Sequence, residues 1–390
     1  MRLSPLKPAL VGAALLALLT PAGFAWAQDM PGPAPPPPAV AGPLTGGVGA
    51  SEAGASGVGA RMKLVPPPGG RIYHSAYPDF RDTEDFVTVN RVRRFERLAG
   101  KRIAWAYFSN NWGREIRFPV KAVRRIHAAG SVPFIRLMAR KGWRESGPDP
   151  RYRLQRIIDG DFDSELIRWG QAAARWARPM LVEFGTEANG SWFPWNGAWN
   201  GGPRTTGFGD PAKADGPERF RAAYRRVRRM IEAGGADNLT WFFHADDESL
   251  PARPWNSLSA YYPGDRFVDW VGVSVYGPLT ADESWTPGFA RSMSRVYPRL
   301  TALSSKPIAL LEFGSMQGRP KAAWFTEALG TVASGRFPRL KAISVWSEAW
   351  RNGDGSRSNL KINSDRRTLL AYRKFVRRPL FVPNLRFQPR

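Results

Sequence analysis

The sequence contains no cysteine. Disulfide staples, thiolate metal sites and cysteine nucleophiles are therefore excluded, while an oxidising compartment remains permitted. Histidine is almost as scarce: His74, His127 and His244 are the only three. They lie far apart, with no H-x-x-x-H spacing of the kind that builds a zinc site. No G-x-G-x-x-G follows the first predicted strand and no P-loop occurs, which removes the usual dinucleotide and nucleotide readings. No G-x-S-x-G elbow offers a serine nucleophile. Acidic residues are in deficit, 33 Asp plus Glu against 57 Lys plus Arg, for a net charge of +24.

Long apolar runs are missing beyond the N-terminus. There, Arg2 and Lys7 precede an apolar run over 9–19, followed by Ala25-Trp26-Ala27. This is the pattern of a signal peptide over 1–27, cleaved after Ala27, and it implies a secreted or periplasmic protein. The rival reading, a membrane anchor, is opposed by Pro8, Gly12, Thr20 and Pro21, which leave the run short of the ~20 apolar residues a span requires. Residues 28–70 consist mostly of Pro, Gly, Ala, Ser and Val. Such a segment buries too little apolar surface to offset its ordering entropy and reads as a disordered linker.

Tryptophan is abundant, at 16, against an otherwise ordinary 43% apolar and 23% charged composition. The positive balance attracts polyanions in general. Arg225-Arg226 and Arg228-Arg229 could touch phosphates, but they fall on a predicted amphipathic helix whose charged face is simply solvated. For an exported chain, an acidic polysaccharide or an anionic cell surface is the more natural partner. Nucleic acid is not expected, and a monomer is.

From about residue 71 to 380, short apolar runs alternate with helical patterns, the signature of repeated βα units. Strands are predicted at 72–76, 103–109, 132–138, 180–187, 239–244, 268–276, 308–312 and 342–346. Helices are predicted at 83–99, 119–129, 163–176, 217–234, 287–303, 320–334 and 364–376, with an irregular connection around 247–263. Eight strands in roughly 310 residues suit one α/β domain, a (β/α)₈ TIM barrel, better than an open doubly wound sheet or two domains.

Barrel active sites form where the strands end at their C-terminal side. Two predicted strands end in glutamate: Glu187 closes the fourth and Glu312 the seventh. A carboxylate ending a buried strand is costly to desolvate and calls for a function or a partner, of which Arg136 is a candidate. Two carboxylates facing one cleft suit glycosidic cleavage. Across a small barrel they can approach the separation of about 5 Å at which one attacks the anomeric carbon directly. Glu312 is then the nucleophile, and Glu187 the acid and later the base.

The stretch Glu187-Ala188-Asn189-Gly190-Ser191-Trp192-Phe193-Pro194-Trp195 resembles the acid/base segment of glycoside hydrolase family 26, a retaining barrel family known for β-mannanases and β-glucanases. The resemblance extends over about residues 73–376. It includes Tyr262-Pro263-Gly264, Val268-Asp269-Trp270-Val271-Gly272-Val273, Tyr276, Lys306-Pro307 through Glu312-Phe313-Gly314, and Trp346. It implies that Glu187 is acid/base, Glu312 is nucleophile, Tyr276 contacts the nucleophile and Trp346 stacks under the sugar at the cleavage point. Arg136, Thr186, Asn189, Trp192 and Trp195 complete the expected substrate-binding set, and no metal or cofactor is called for.

One position departs from the pattern. Thr186 stands where the family carries histidine, a side chain that helps hold the acid/base and the sugar around its 2-hydroxyl, and threonine reaches less far. Strand alternation also turns Glu183 inward with Gly185 and Glu187, where it either pairs with Arg136 or raises the acid/base pKa by like-charge repulsion. Two further readings follow: a barrel that binds polysaccharide with weak or no catalysis, and a basic surface or nucleic-acid binder whose affinity collapses with salt.

The tryptophans divide by location. Trp169 and Trp176 sit at helical spacing and read as packing. Trp192, Trp195 and Trp199 follow a strand end among Gly, Asn and Pro, where a flat indole can stack on a pyranose. Trp105 and Trp112 fit either role. Asp246-Asp247-Glu248 could hold calcium but reads better as an acidic turn facing solvent.

Overall fold

The computed structural model describes residues 62–142, 147–280, 283, 287–318, 320–352 and 355–389. The predicted signal peptide, its cleavage site and the linker as far as residue 61 lie outside the described residues. The chain runs β1 (Met62–Val65), β2 (Ile72–Tyr77), α1 (Val89–Ala99), β3 (Trp105–Asn111), α2 (Val120–Ala129), β4 (Val132–Met138), α3 (Leu154–Asp159), α4 (Asp163–Trp176) and β5 (Met180–Phe184). It continues with α5 (Asp215–Ala233), β6 (Leu239–Asp246), β7 (Trp270–Tyr276), α6 (Phe289–Leu303), β8 (Ile308–Gly314), α7 (Pro320–Ala333), β9 (Leu340–Trp346), β10 (Ala349–Arg351), β11 (Arg357–Asn359), α8 (Arg366–Val376), β12 (Phe381–Val382) and β13 (Arg386–Pro389).

Strands β2 to β9 pair in parallel and in chain order, and β2 closes the ring on β9. This is the expected (β/α)₈ barrel. Helices cover its outside, so the strands are buried on both faces and read as nearly continuous apolar runs. Thr88 and Asp365 cap α1 and α8 through their side-chain oxygens, satisfying backbone N–H groups that the first helical turn leaves orphaned.

Inside the barrel the side chains sort by height. Towards the N-terminal ends of the strands, Trp105, Phe134, Phe242 and Trp270 pack ring on ring, with centroids 5.6, 4.7 and 5.7 Å apart along the series. Two residues further along β4 and β6 the positions turn polar: Arg136 follows Phe134 and His244 follows Phe242, and Arg136 lies in register with both Ser109 and Glu183. Aromatic plugging below leaves a polar layer above, at the end of the barrel where function is expected.

Several boundaries differ from expectation. The fourth strand ends at Phe184, not at residue 187, because Gly185 and Glu187 turn into the left-handed region, with φ of 70° and 51°. Ordered chain begins before residue 71 and continues past 380. β1 pairs antiparallel with β13, Leu64 N donates to Thr240 Oγ1 at 2.9 Å, and Trp270 Nε1 donates to Leu64 O at 2.9 Å. That hairpin-like closure caps the bottom of the barrel, a long-range pairing that no local pattern announces. α3 has no sequence expectation either, and the first helix starts at Val89 instead of 83. Among the described residues, no helix is long and apolar enough to cross a membrane.

Candidate active site

Glu187 and Glu312 converge above the polar layer, both nearly sealed from solvent at 3% exposure. β5 and β8 stand three places apart around the ring, and the two carboxyls are close enough to interact electrostatically. Burial raises the pKa of Glu187, and the charge of Glu312 raises it further, against the lowering effect of His244 and of hydrogen bonds from Ser274 and Trp192. Burial also raises Glu312, but Arg136, His244 and the Tyr276 hydroxyl all favour its ionised form. Both carboxyls thus sit above the usual carboxylate value; they differ in their partners, Arg136 and Tyr276 favouring the charge on Glu312 while the charge of Glu312 favours the proton on Glu187.

Local backbone aims each group. Past Gly185, Glu187 sits at positive φ, a conformation that costs a non-glycine residue on the order of 1 kcal/mol. Its carbonyl is held there by the Gly190 amide at 2.9 Å and by Asn196 Nδ2 at 2.8 Å. Trp192 Nε1 donates to Glu187 Oε2 at 2.6 Å. Across the cleft, Tyr276 OH donates to Glu312 Oε2 at 2.7 Å. Glu312 Oε1 lies 3.3 Å from Arg136 Nη2 and accepts no hydrogen bond, so it retains a free lone pair.

Arg136 ties the layer together. Its Nη1 donates to Glu84 Oε2 at 2.7 Å, and its Nε lies 3.6 Å from Glu183 Oε1. Its guanidinium stands 5.2 Å from the Tyr107 ring and 5.0 Å from the Trp346 ring. Burial opposes its charge, but Glu312, Glu84, Tyr107 and Glu183 outweigh that cost and hold it firmly cationic. Arg136 is therefore an organiser of carboxylates, which explains why a fully buried guanidinium is tolerated.

Glu183 resolves in favour of pairing. Its Oε2 faces His244 Nδ1 at 3.0 Å, and its Oε1 accepts from the Tyr107 and Thr186 hydroxyls. Burial would raise its pKa, yet His244 and Arg136 with the Thr186 hydrogen bond hold it below the usual carboxylate value. His244 is the reciprocal case: burial depresses it, and Glu183 with Glu312 and Glu187 more than restores it, so it sits above the ordinary histidine value. His244 Nε2 contacts Ser274 Oγ at 2.9 Å. The one signal for His244 in the sequence is its place at the end of the fifth predicted strand.

Three residues expected to touch substrate are placed elsewhere. Thr186 is buried, with its hydroxyl committed to Glu183 below the cleft and 3.3 Å from His244 Nδ1. Asn189 is completely buried: Nδ2 donates to Asp246 O at 3.0 Å and Ser249 Oγ at 3.1 Å, and Oδ1 accepts from Asp246 N at 2.8 Å. It pins the loop after β5 to the loop after β6. Trp195 is also fully buried, donating to Thr186 O at 2.7 Å and stacked on Phe193 at 4.5 Å, so it supports the loop instead of offering a platform. Trp105 and Trp112 are buried too, which settles them as packing.

The remaining aromatics differ. Trp346 stacks on Tyr77 with ring centroids 3.9 Å apart and planes 7° from parallel, which fixes its orientation at the edge of the Arg136 cluster. Trp199 is 44% exposed, with Nε1 donating to Ser191 O at 2.9 Å, and keeps a face open to a ligand. Beside Trp346, Glu348 accepts from Trp346 Nε1 at 3.1 Å and from Tyr77 OH at 3.4 Å. Burial, with Glu84 and Asp79 nearby, raises its pKa well above the usual carboxylate value, and no motif in the sequence marks it. Asp246 and Asp247 are buried, not a solvent-facing turn, while Glu248 pairs with Arg295.

Comparison with known proteins agrees with this architecture. Residues 162–334 match the family described as glycosyl hydrolase family 26. Endoglucanase H of Acetivibrio thermocellus is 25% identical over 289 residues, covering 73% of this chain and 29% of its own length. A β-1,3-xylanase of an Alcaligenes species is 28% identical over 126 residues, covering 32% of this chain and 22% of its own. The chain thus spans less than a third of the length of these relatives. Among solved structures, the catalytic domain of the Bacillus sp. JAMB-750 GH26 endo-β-1,4-mannanase superposes with a TM-score of 0.57 at 14% identity, over 80% of this chain and 87% of the other. The Cellulomonas fimi endo-β-1,4-mannanase double mutant gives a TM-score of 0.55 at 18% identity, over 80% and 72%. These two likenesses speak for the fold. The two strand-end glutamates stand on a closed barrel, and the segment 162–334, which holds both of them, is similar to glycosyl hydrolase family 26.

Proposed function

We infer that this protein is an exported, retaining endo-hydrolase of a β-linked polysaccharide, β-mannan or a related β-glycan, that works by double displacement. The observation that carries the reading is the division of the two buried carboxyls, Glu312 held by Arg136 and Tyr276 and Glu187 held by Trp192. In the first step Glu312 attacks the anomeric carbon while Glu187 protonates the departing oxygen. In the second, Glu187 takes a proton from water, which displaces Glu312. As the charge on Glu312 is consumed by the glycosyl bond, its upward pressure on Glu187 falls, and the same residue becomes the base. The relatives' names point to glucan, xylan and mannan. The net charge of +24 suits an acidic polysaccharide, including one made by the cell itself.

Separate Glu187→Gln and Glu312→Gln variants, assayed for reducing ends on mannan, glucan and acidic bacterial polysaccharides, test the assignment. Each should lose at least about a thousandfold in turnover, because a general acid alone supplies about 10²–10⁴. Normal turnover in either sinks it. Fresh product should keep the anomeric configuration of the substrate by proton NMR.

The engagement of Thr186 with Glu183 instead of the cleft favours a second reading, a barrel that binds polysaccharide with weak catalysis. Tight binding without product across that panel would select it.

A further inference from the structure

Outside the cleft, α2 and α4 leave between them a groove of about 530 Å³, floored by Phe118, Trp169 and Trp176 and edged by Arg124, Arg168 and Arg175. Its upper end is formed by the loop that leaves β3, so it opens at the functional end of the barrel and runs down the outer wall. The groove also contains one carboxylate, Glu115, which Arg117 engages. Arg124, Arg168 and Arg175 are exposed and make no salt bridge among the described residues, although Arg168 lies near enough to Glu115 to favour its charge. Trp176 Nε1 is buried without a hydrogen-bond partner, whereas Trp169 Nε1 is satisfied by Asn110 Oδ1 at 3.0 Å.

The sequence of α4 makes this groove periodic. Arg168-Trp169 recurs as Arg175-Trp176 seven residues later. At 1.5 Å of rise per residue, the two Arg-Trp pairs stand about 10.5 Å apart on nearly the same helix face. Two guanidinia at that interval suit an extended β-linked glycan with a negative charge on every second sugar: carboxylates meet the arginine forks, and rings lie against the half-buried Trp176 and Phe118, Trp169 being buried beneath them. Nucleic-acid phosphates recur far more densely, about every 3.4 Å along each strand.

We propose that the α2–α4 groove is a second carbohydrate site that binds carboxylate-bearing β-linked polysaccharide and holds the chain against the barrel independently of cleavage. The bond-breaking assignment is not needed for it, and the two can fail separately.

The test uses the full chain carrying Glu187→Gln, so that no probe is consumed, with hyaluronate as the alternating-charge glycan, mannan as the neutral one and oligodeoxythymidylate as the competing polyanion. Adding Arg168→Gln and Arg175→Gln together should weaken hyaluronate binding at least tenfold and lessen its dependence on salt. Mannan binding should not change. Trp176→Ala should weaken hyaluronate several-fold with the salt slope intact. Thermal melts confirm folding, and because both arginines are exposed, that pair alone decides if Trp176→Ala unfolds. Unchanged hyaluronate affinity in the arginine pair overturns the proposal. So does oligodeoxythymidylate binding as tightly and being weakened equally, which would reduce the groove to a general polyanion patch.

Discussion

Tyr276 donates the one hydroxyl bond that Glu312 receives from the next strand, so its replacement isolates a single electrostatic contribution. A hydrogen bond to a charged group contributes about 1.5–3 kcal/mol. Tyr276→Phe should therefore fold normally, lower turnover about 10- to 100-fold, and shift the acidic limb of the pH–rate profile upward, because Glu312 loses a bond that favours its charge. An unshifted acidic limb would separate Tyr276 from the ionisation of Glu312. The His244–Glu183 pair makes a different prediction. Removing one member of a buried ion pair costs about 3–5 kcal/mol when the other charge is left unpaired, and here Arg136, Tyr107 and Thr186 still hold Glu183. His244→Gln should thus be destabilised in urea unfolding by less than that. Adding Glu183→Gln should recover part of the loss, a coupling that two independent sites would not show.

Elements act through their contact with one another, and α4 shows how context overrides propensity. Gly170 lies inside α4, where alanine would ordinarily gain about 1 kcal/mol. A Cβ there would meet Ile231 O of α5 at 2.1 Å, and a backbone carbonyl cannot swing aside as a side chain can. Overpacking of that kind costs typically 1–3 kcal/mol. Gly170→Ala should lower the melting temperature although every local scale predicts a rise; an increase would show that α4 and α5 can separate cheaply. The loop after β5 follows the same logic. Its aromatic residues looked like ligand platforms from their company of Gly, Asn and Pro, yet Asn189 and Trp195 turn inward to lock the loop. Composition marked the segment as irregular, and only its partners decided which rings stayed open.

For the whole molecule, pH acts on stability through His74. Burial lowers its pKa to about 4, while Arg102 O lies 3.0 Å from Nδ1 and Tyr372 OH 2.7 Å from Nε2. Below the ordinary histidine value of 6.5 the unfolded chain binds a proton that the folded one refuses. The contribution of His74 is therefore full above that value and is lost as pH falls from it towards 4, by roughly 3 kcal/mol at about 1.4 kcal/mol per pH unit. Glu348 and His244, whose folded values are raised, act in the opposite sense, so the readout is a difference: relative to the parent, His74→Gln should gain stability between pH 7 and 4.5 in melting experiments, and an unchanged difference would separate His74 from the acid response.

The alternation of apolar runs and helical patterns determined the barrel, because each βα unit buries its own strand with its own helix and so writes its period locally. The strand ends at Glu187 and Glu312 were legible for the same reason: a charge closing a buried run is visible wherever the run is visible. What the tertiary structure alone decided were the pairings across the ring. Arg136 on one strand meets Glu312 four strands on, His244 meets Glu183 on the neighbouring strand, and β1 meets β13 from the far end of the chain. Such contacts depend on ring closure and on side chains from distant segments sharing one buried layer, where unpaired charge is too costly to persist. No window along the sequence contains both partners.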